Sequence, residues 1–273
     1  EPTEPVDPVT MVIVSDLHCN VGMAPVIGAV VELAQADMLL NAGDTVMAGT
    51  SVEAACINAF ADGVPNGIPV VVANGNHDSD TTADQEAARG WQVLRGEPIE
   101  VAGVRILGDT DPTLSSLGAP TSGQRGESVA QMGQRLGEVA CGAQATAGID
   151  LMLVHNPAAA TPALQAGCVP MSISGHKHRQ VGPWQRGLGI EYVSASTAGA
   201  AESSPTIGPL LAPATITVMR WDRANHLPMD FRIVTLGVDH SVDLGPWQAF
   251  PPPPSEPVDL PVPEPGQAPW DQS

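Results

Sequence analysis

Asp16 with His18, Asp44, Asn76, His155, and His176 with His178 are carboxylate, imidazole and amide side chains, and each group follows directly on an apolar run. MVIVS runs into Asp16, DMLLNAG into Asp44, VVVANG into Asn76, IDLMLV into His155 and VPMSISG into His176. Imidazole mixed with carboxylate and amide oxygen suits Mn, Fe, Co, Ni or Zn better than Mg or Ca. Five of the seven histidines stand at these run ends; His226 and His240 do not, and they are given no role. Taken alone, Asp16 could cap a helix and Asn76 could serve a turn. Seven positions obeying one grammar exceed that explanation.

Short apolar runs that stop at such ligands read as buried strands. Ligands past the carboxyl ends of strands are where open α/β sheets bind. The strands are expected at 11–15, 38–42 and 68–74. Val26, Ile27, Val30, Val31 and Ala34 keep helical spacing behind Pro25, which predicts a helix over 24–36, and a second covers 51–61. This β-α-β-α-β order implies parallel pairing with right-handed crossovers. Further on, the sequence predicts a helix over 81–90, a hairpin over 97–109 turning at Ala102-Gly103, and a loop over 110–123. A helix over 126–141, a strand over 149–154, a helix from Pro157 to about Ala166 and a strand over 171–174 follow. Alternating runs at 188–195, 214–221 and 229–236 predict an antiparallel second sheet. Residues 1–10 read as a Pro-rich linker, 11–237 as one catalytic domain, and 238–273 as a Pro-rich acidic tail.

The chain carries a formal net charge of −19 and one lysine, Lys177. Nine of its 30 acidic residues lie in the two ends, so the middle still holds 21 acids against 11 bases. That balance argues against long nucleic acid as a partner, whose binding relies on Lys and Arg at phosphates. No apolar run reaches the roughly 18 residues of a membrane helix. With aromatics at 3%, the core must be built from aliphatic side chains and Met.

Written out, the motifs are D-x-H, G-D, G-N-H-D, H and G-H-x-H, in that order. The stretch from Met11 to Leu236 thereby resembles the calcineurin-like metallophosphoesterase superfamily. The resemblance implies an α/β fold, a two-sheet β-sandwich flanked by helices. It also implies two divalent transition-metal ions, with Asp16, His18 and His178 on one, Asn76, His155 and His176 on the other, and Asp44 bridging. A hydroxide between the metals would attack phosphorus, and His77 would stabilise the transition state or protonate the leaving oxygen. Many members carry a second Asp three residues after the G-D motif, which orients the histidine of G-N-H. Here that position is Met47, which leaves the support of His77 to Asp78 or a water.

The activity so implied is hydrolysis of a small phosphodiester, such as a glycerophosphodiester or cyclic nucleotide. The other readings are a phosphomonoesterase or nucleotidase, and a non-catalytic binding module of the same fold. A monoester dianion calls for a fixed Arg clamp. The available cations near the metal edge are Arg89, Arg95, Arg125 and Arg179, none built into a motif. Binding modules of this fold typically lose ligands, and none is lost here. The selectivity loops are expected at Ser79–Gly96 and Thr110–Gly126.

Cys19, Cys56, Cys141 and Cys168 permit three disulfide connectivities, or four free thiols in a cytosolic enzyme. Cys141 and Cys168 end the helices on either side of strand 149–154, which favours pairing them and leaves Cys19 for Cys56. Paired cysteines, Pro-rich ends and an acidic surface resemble exported phosphoesterase domains of high-GC Gram-positive bacteria. They place the chain outside the cytoplasm, as a secreted protein or an ectodomain.

Overall fold

The computed structural model describes residues 8–115, 121–201 and 204–258. The chain runs β1 (Pro8–Val14), α1 (Ala24–Ala34), β2 (Met38–Asn41), α2 (Ala54–Gly63), β3 (Val70–Val72), α3 (Asp80–Ala88) and β4 (Gln92–Val93). A hairpin of β5 (Ile99–Val101) and β6 (Val104–Leu107) turns at Ala102-Gly103, and a short one joins β7 (Thr113–Leu114) to β8 (Ser122–Gly123). Then come α4 (Val129–Ala143), β9 (Leu151–Leu153), α5 (Thr161–Gln165), β10 (Met171–Ser174), β11 (Val181–Arg186) and β12 (Gly189–Val193). Finally β13 (Ala214–Asp222), β14 (Leu227–Leu236), β15 (Val242–Leu244) and β16 (Gln248–Ala249) close the described chain.

Two sheets result. The first has the order β15-β14-β13-β1-β2-β3-β4, with β16 also paired to β14; the second has the order β11-β12-β10-β9-β6-β5. Strands β1 to β4 pair in parallel, as do β6, β9, β10 and β12. Alternation explains the layering. Met11, Ile13, Met38, Leu40 and Val71 point into a core shared with Leu151, Leu153, Met171 and Ile173 of the second sheet. Their neighbours Val12, Val14, Leu39, Val70 and Val72 point outward beneath α1 and α2. On the far side Met152 and Val154 pack under α4 and α5. Central strands are buried on both faces, which is why they read as continuous apolar runs. The arrangement is the expected sandwich of two sheets flanked by helices.

The structure corrects one strand assignment. Runs 214–221 and 229–236 join the first sheet, where β13 lies antiparallel to β1 and β14 antiparallel to β13. Of the three runs only β12 enters the second sheet, and it lies parallel to β10. Alternation marks a half-buried strand but carries no information about which neighbour it pairs with.

The ends also differ from the expectation. Pro8–Thr10 belong to β1, paired with Asp222–Arg220, while residues 1–7 lie outside the described residues. The tail lies on the sandwich as far as Val258. Two of its segments pair with β14, and Phe250 is buried with its ring 4.8 Å from that of Phe231 and 6.1 Å from that of Tyr192. Val258 then exchanges two 2.8 Å backbone hydrogen bonds with Gly187 beside the β11–β12 turn, so the tail crosses from one sheet to the other. Residues 259–273 lie outside the described residues. Among the described residues no helix is long and apolar enough to cross a membrane.

Candidate metal centre

All eight predicted site residues gather at the carboxyl ends of β1, β2, β3, β9 and β10. Five of them, Asp16, His18, Asp44, His176 and His178, have positive φ, between 43° and 73°. Non-glycine residues reach this region at a cost, and it clusters where function over-determines the backbone. Glycines make the close approaches possible. A Cβ on Gly175 would collide with the Ser15 hydroxyl, and one on Gly75 with the Asp44 carboxylate.

On one side, one ligand atom each from Asp16, His18, Asp44 and His178 lies within 4.8 Å of all the others. His18 Nε2 and His178 Nε2 are 2.9 Å apart, and His178 Nε2 is 3.5 Å from Asp16 Oδ1. The His178 Nδ1–H donates to the Ala201 carbonyl at 2.7 Å, which fixes the tautomer with Nε2 turned inward. Ser15 Oγ–H at 2.5 Å and the His176 backbone N–H at 3.1 Å hold the Asp16 carboxylate.

On the other side, His155 Nε2 stands 3.1 Å from Asn76 Oδ1, 3.2 Å from Asp44 Oδ2 and 3.3 Å from His176 Nδ1. His176 Nδ1 is 2.9 Å from the same Asn76 oxygen. The His155 Nδ1–H donates to the Ala42 carbonyl at 2.7 Å, so Nε2 is the nitrogen that faces inward, toward Asp44. Asp44 stands between the two groups, 3.9 Å from His18 Nε2 and 3.2 Å from His155 Nε2. Its Oδ1 accepts the His77 backbone N–H at 2.8 Å.

Burial keeps two of these imidazoles neutral, with His18 and His176 both pushed down to about 3. Burial also opposes charge on His155, but Asp44, by its charge and its hydrogen bond, outweighs that and pushes the ring up to about 10. Asp44 itself is held well below the usual carboxylate range: burial would raise it, and the charge and hydrogen bond of His155 prevail. Positive charge is therefore favoured beside Asp44 and disfavoured on the His18 and His176 rings. The inward-facing nitrogens of His155 and His178 and the carboxylates of Asp16 and Asp44, each fixed by a backbone partner, fit a divalent cation.

His77 is supported in a way the sequence does not show. Its Nδ1–H donates to the Met47 backbone carbonyl at 2.8 Å. That carbonyl replaces the carboxylate expected three residues after Asp44, and Glu53 holds it in place by accepting the Met47 and Ala48 N–H groups at 2.8 and 3.2 Å. Asp78 does not serve His77, contrary to expectation. It turns into the protein and accepts N–H bonds from Gly75, Thr45 and Val46 at 2.8, 3.2 and 3.1 Å. A backbone carbonyl has no sequence signature, so Met47, Ala42 and Ala201 were not legible as supports.

All four cysteines are in disulfides, Cys19–Cys56 with Cα atoms 5.2 Å apart and Cys141–Cys168 at 4.8 Å. The first pins the loop of His18 to α2.

Carboxylate, imidazole and amide side chains gathered at the strand ends of a two-sheet sandwich make a site that could hold a divalent cation. The chain belongs to the calcineurin-like phosphoesterase family, whose model matches residues 9–180, and is accordingly a hydrolase of phosphoric esters. Solved structures of similar fold include an archaeal phosphodiesterase, with a TM-score of 0.50 and 11% identity over 84% of this chain and 100% of that one. A phosphatase from Mycoplasma pneumoniae gives a TM-score of 0.55 and 10% identity over 88% and 95% of the two chains. The NAD nucleotidase of Haemophilus influenzae gives 0.52 and 14% over 90% of this chain and 54% of that one. At these identities the likeness is one of fold. No curated protein sequence matches the chain.

Proposed function

We propose that this enzyme hydrolyses small phosphodiesters with two divalent transition-metal ions. Asp16, His18 and His178 would hold one ion, Asn76, His155 and His176 the other, and Asp44 would be shared. Such a pair supplies a nucleophile at neutral pH by lowering the pKa of water, and neutralises charge on the phosphoryl oxygens. The chain's own residues orient the reaction. The Ala42 and Ala201 carbonyls hold the His155 and His178 rings with one nitrogen inward. His77, its Nδ1 committed to Met47 and its ring 5.2 Å from that of His18, keeps Nε2 for the phosphoryl or leaving oxygen.

The fate of the arginines carries the preference for diesters. Arg89 is paired with Asp62, Arg95 with Asp84 at 3.6 Å, and Arg125 with Asp80 at 2.9 Å and Asp109 at 3.5 Å. Three of the four arginines available for clamping a dianion are thus engaged by carboxylates. A diester carries one negative charge and does not call for such a clamp. The similar folds include both a phosphodiesterase and a phosphatase, so the fold itself does not choose. We place the protein outside the cytoplasm, a reading that two disulfides support. The test is kcat/KM for matched mono- and diesters at one salt and one metal. The diester should lead; a tenfold lead for the monoester, about 1.4 kcal/mol in transition-state binding, would reverse the assignment.

A further inference from the structure

His18, His155 and His178 all turn Nε2 toward the metal centre, but they are not held alike. The Nδ1–H groups of His155 and His178 donate to the Ala42 and Ala201 carbonyls at 2.7 Å. His18 is wholly buried, and among the described residues its Nδ1 has no hydrogen-bond partner. Its Nε2 nonetheless stands 2.9 Å from His178 Nε2 and 3.9 Å from Asp44 Oδ2. A ligand histidine is ordinarily aimed by the hydrogen bond on its other nitrogen. Without one, the ring takes its direction from the backbone that carries it.

That backbone is costly to keep. Asp16, His18 and Cys19 have φ of 52°, 43° and 61°, a region that such residues hold only where the surroundings over-determine it. The loop is tethered on two sides. The His18 and Cys19 N–H groups donate to the Asp44 and Thr45 carbonyls at 2.9 and 3.0 Å. Asn20 is buried and donates its side-chain N–H to the Ala198 carbonyl at 2.9 Å. Cys19 is bonded to Cys56 in the first turn of α2, whose Ile57 and Phe60 are buried against the outer face of the first sheet. The residue that follows His18 is thus fixed covalently to an anchored helix, while the other two rings are held by a carbonyl.

We propose that the Cys19–Cys56 disulfide and Asn20 are positioning residues for His18, and that they set the affinity of the ion it would share with Asp16 and His178. This rests on the two-ion site proposed above. The second disulfide supplies the control: it closes 27 residues against 37, and Cys168 precedes the amino end of β10, the end away from His176. Co²⁺ is added to metal-free protein and followed by its visible absorption and by competition with a chromophoric chelator. The proteins are wild type, Cys19→Ala with Cys56→Ala, Asn20→Ala, and Cys141→Ser with Cys168→Ser. Removing the Cys19–Cys56 bond should weaken one of two Co²⁺ ions by about tenfold or more, alter its absorption, and leave the other within about threefold. Asn20→Ala should weaken the same ion by about threefold or more. The control should hold both ions within about threefold of wild type, although it too has lost a crosslink. Equal weakening of both ions, or no weakening of either, in the Cys19 and Cys56 variant would overturn the inference. If that variant does not fold, the same results in Asn20→Ala would overturn it. Wild type that binds fewer than two Co²⁺ would overturn the two-ion site itself, and the inference with it.

Discussion

Glu86 on α3 is fully buried behind the metal centre, where its Oε1 accepts the Thr45 hydroxyl at 2.8 Å, one residue from Asp44. Burial and the charge of nearby Asp78 push its carboxyl well above the ordinary value of 4.5. Below 4.5 the folded and unfolded chains both hold the proton, and stability is unaffected. As pH rises past that value the unfolded chain releases the proton and the folded chain keeps it, so stability falls until the folded carboxyl also ionises. The slope is about 1.4 kcal/mol per pH unit for one proton. Glu86→Gln removes this group from the balance. Between pH 5 and 6 the variant should therefore gain about 1.4 kcal/mol on wild type. Urea unfolding of metal-free protein at pH 5, 6 and 7 measures the difference. Parallel stability curves for the two proteins would show that Glu86 is ionised in the folded state, and would refute the reasoning.

Three more outcomes are expected. Asp44→Asn removes the charge shared by both halves of the site, and should lose metal and at least about 100-fold in rate, or about 2.7 kcal/mol, while the fold stands; metal analysis and circular dichroism check this, and full metal with full rate would remove Asp44 from the centre. Replacing Cys141 and Cys168 by Ser opens a link across 27 residues and should cost on the order of 3 kcal/mol, while thiol titration of denatured wild type should find no reactive thiol. Phe250→Ala should cost about 3 kcal/mol in urea unfolding by emptying the place beside Phe231 and Tyr192, and a cost under about 1 kcal/mol would detach the tail from the core.

The parallel strands and their ligands were legible because both signals are local. Val12 and Ile13, or Val71 and Val72, are apolar on both faces, and the residue that ends each run is a ligand type. The pairing of β13 with β1 was not legible, because residues about 200 positions apart meet there without a complementary pattern. The tail misled for a different reason. Its prolines signal extended chain, and an extended chain can equally be solvated or laid along a sheet; only the burial of Phe250 separates the two. At the metal centre the side chains could be read from type and spacing. Their supports could not, since Ala42, Met47 and Ala201 act through carbonyls that every residue possesses.

The central claim is that these side chains hydrolyse a phosphoester with bound divalent metal. The most direct measurement is the rate of bis-p-nitrophenyl phosphate hydrolysis by the purified protein before chelation, after it, and after Mn²⁺ is returned. The account predicts activity that disappears with the metal and comes back with it. Activity that survives in verified metal-free protein would contradict it.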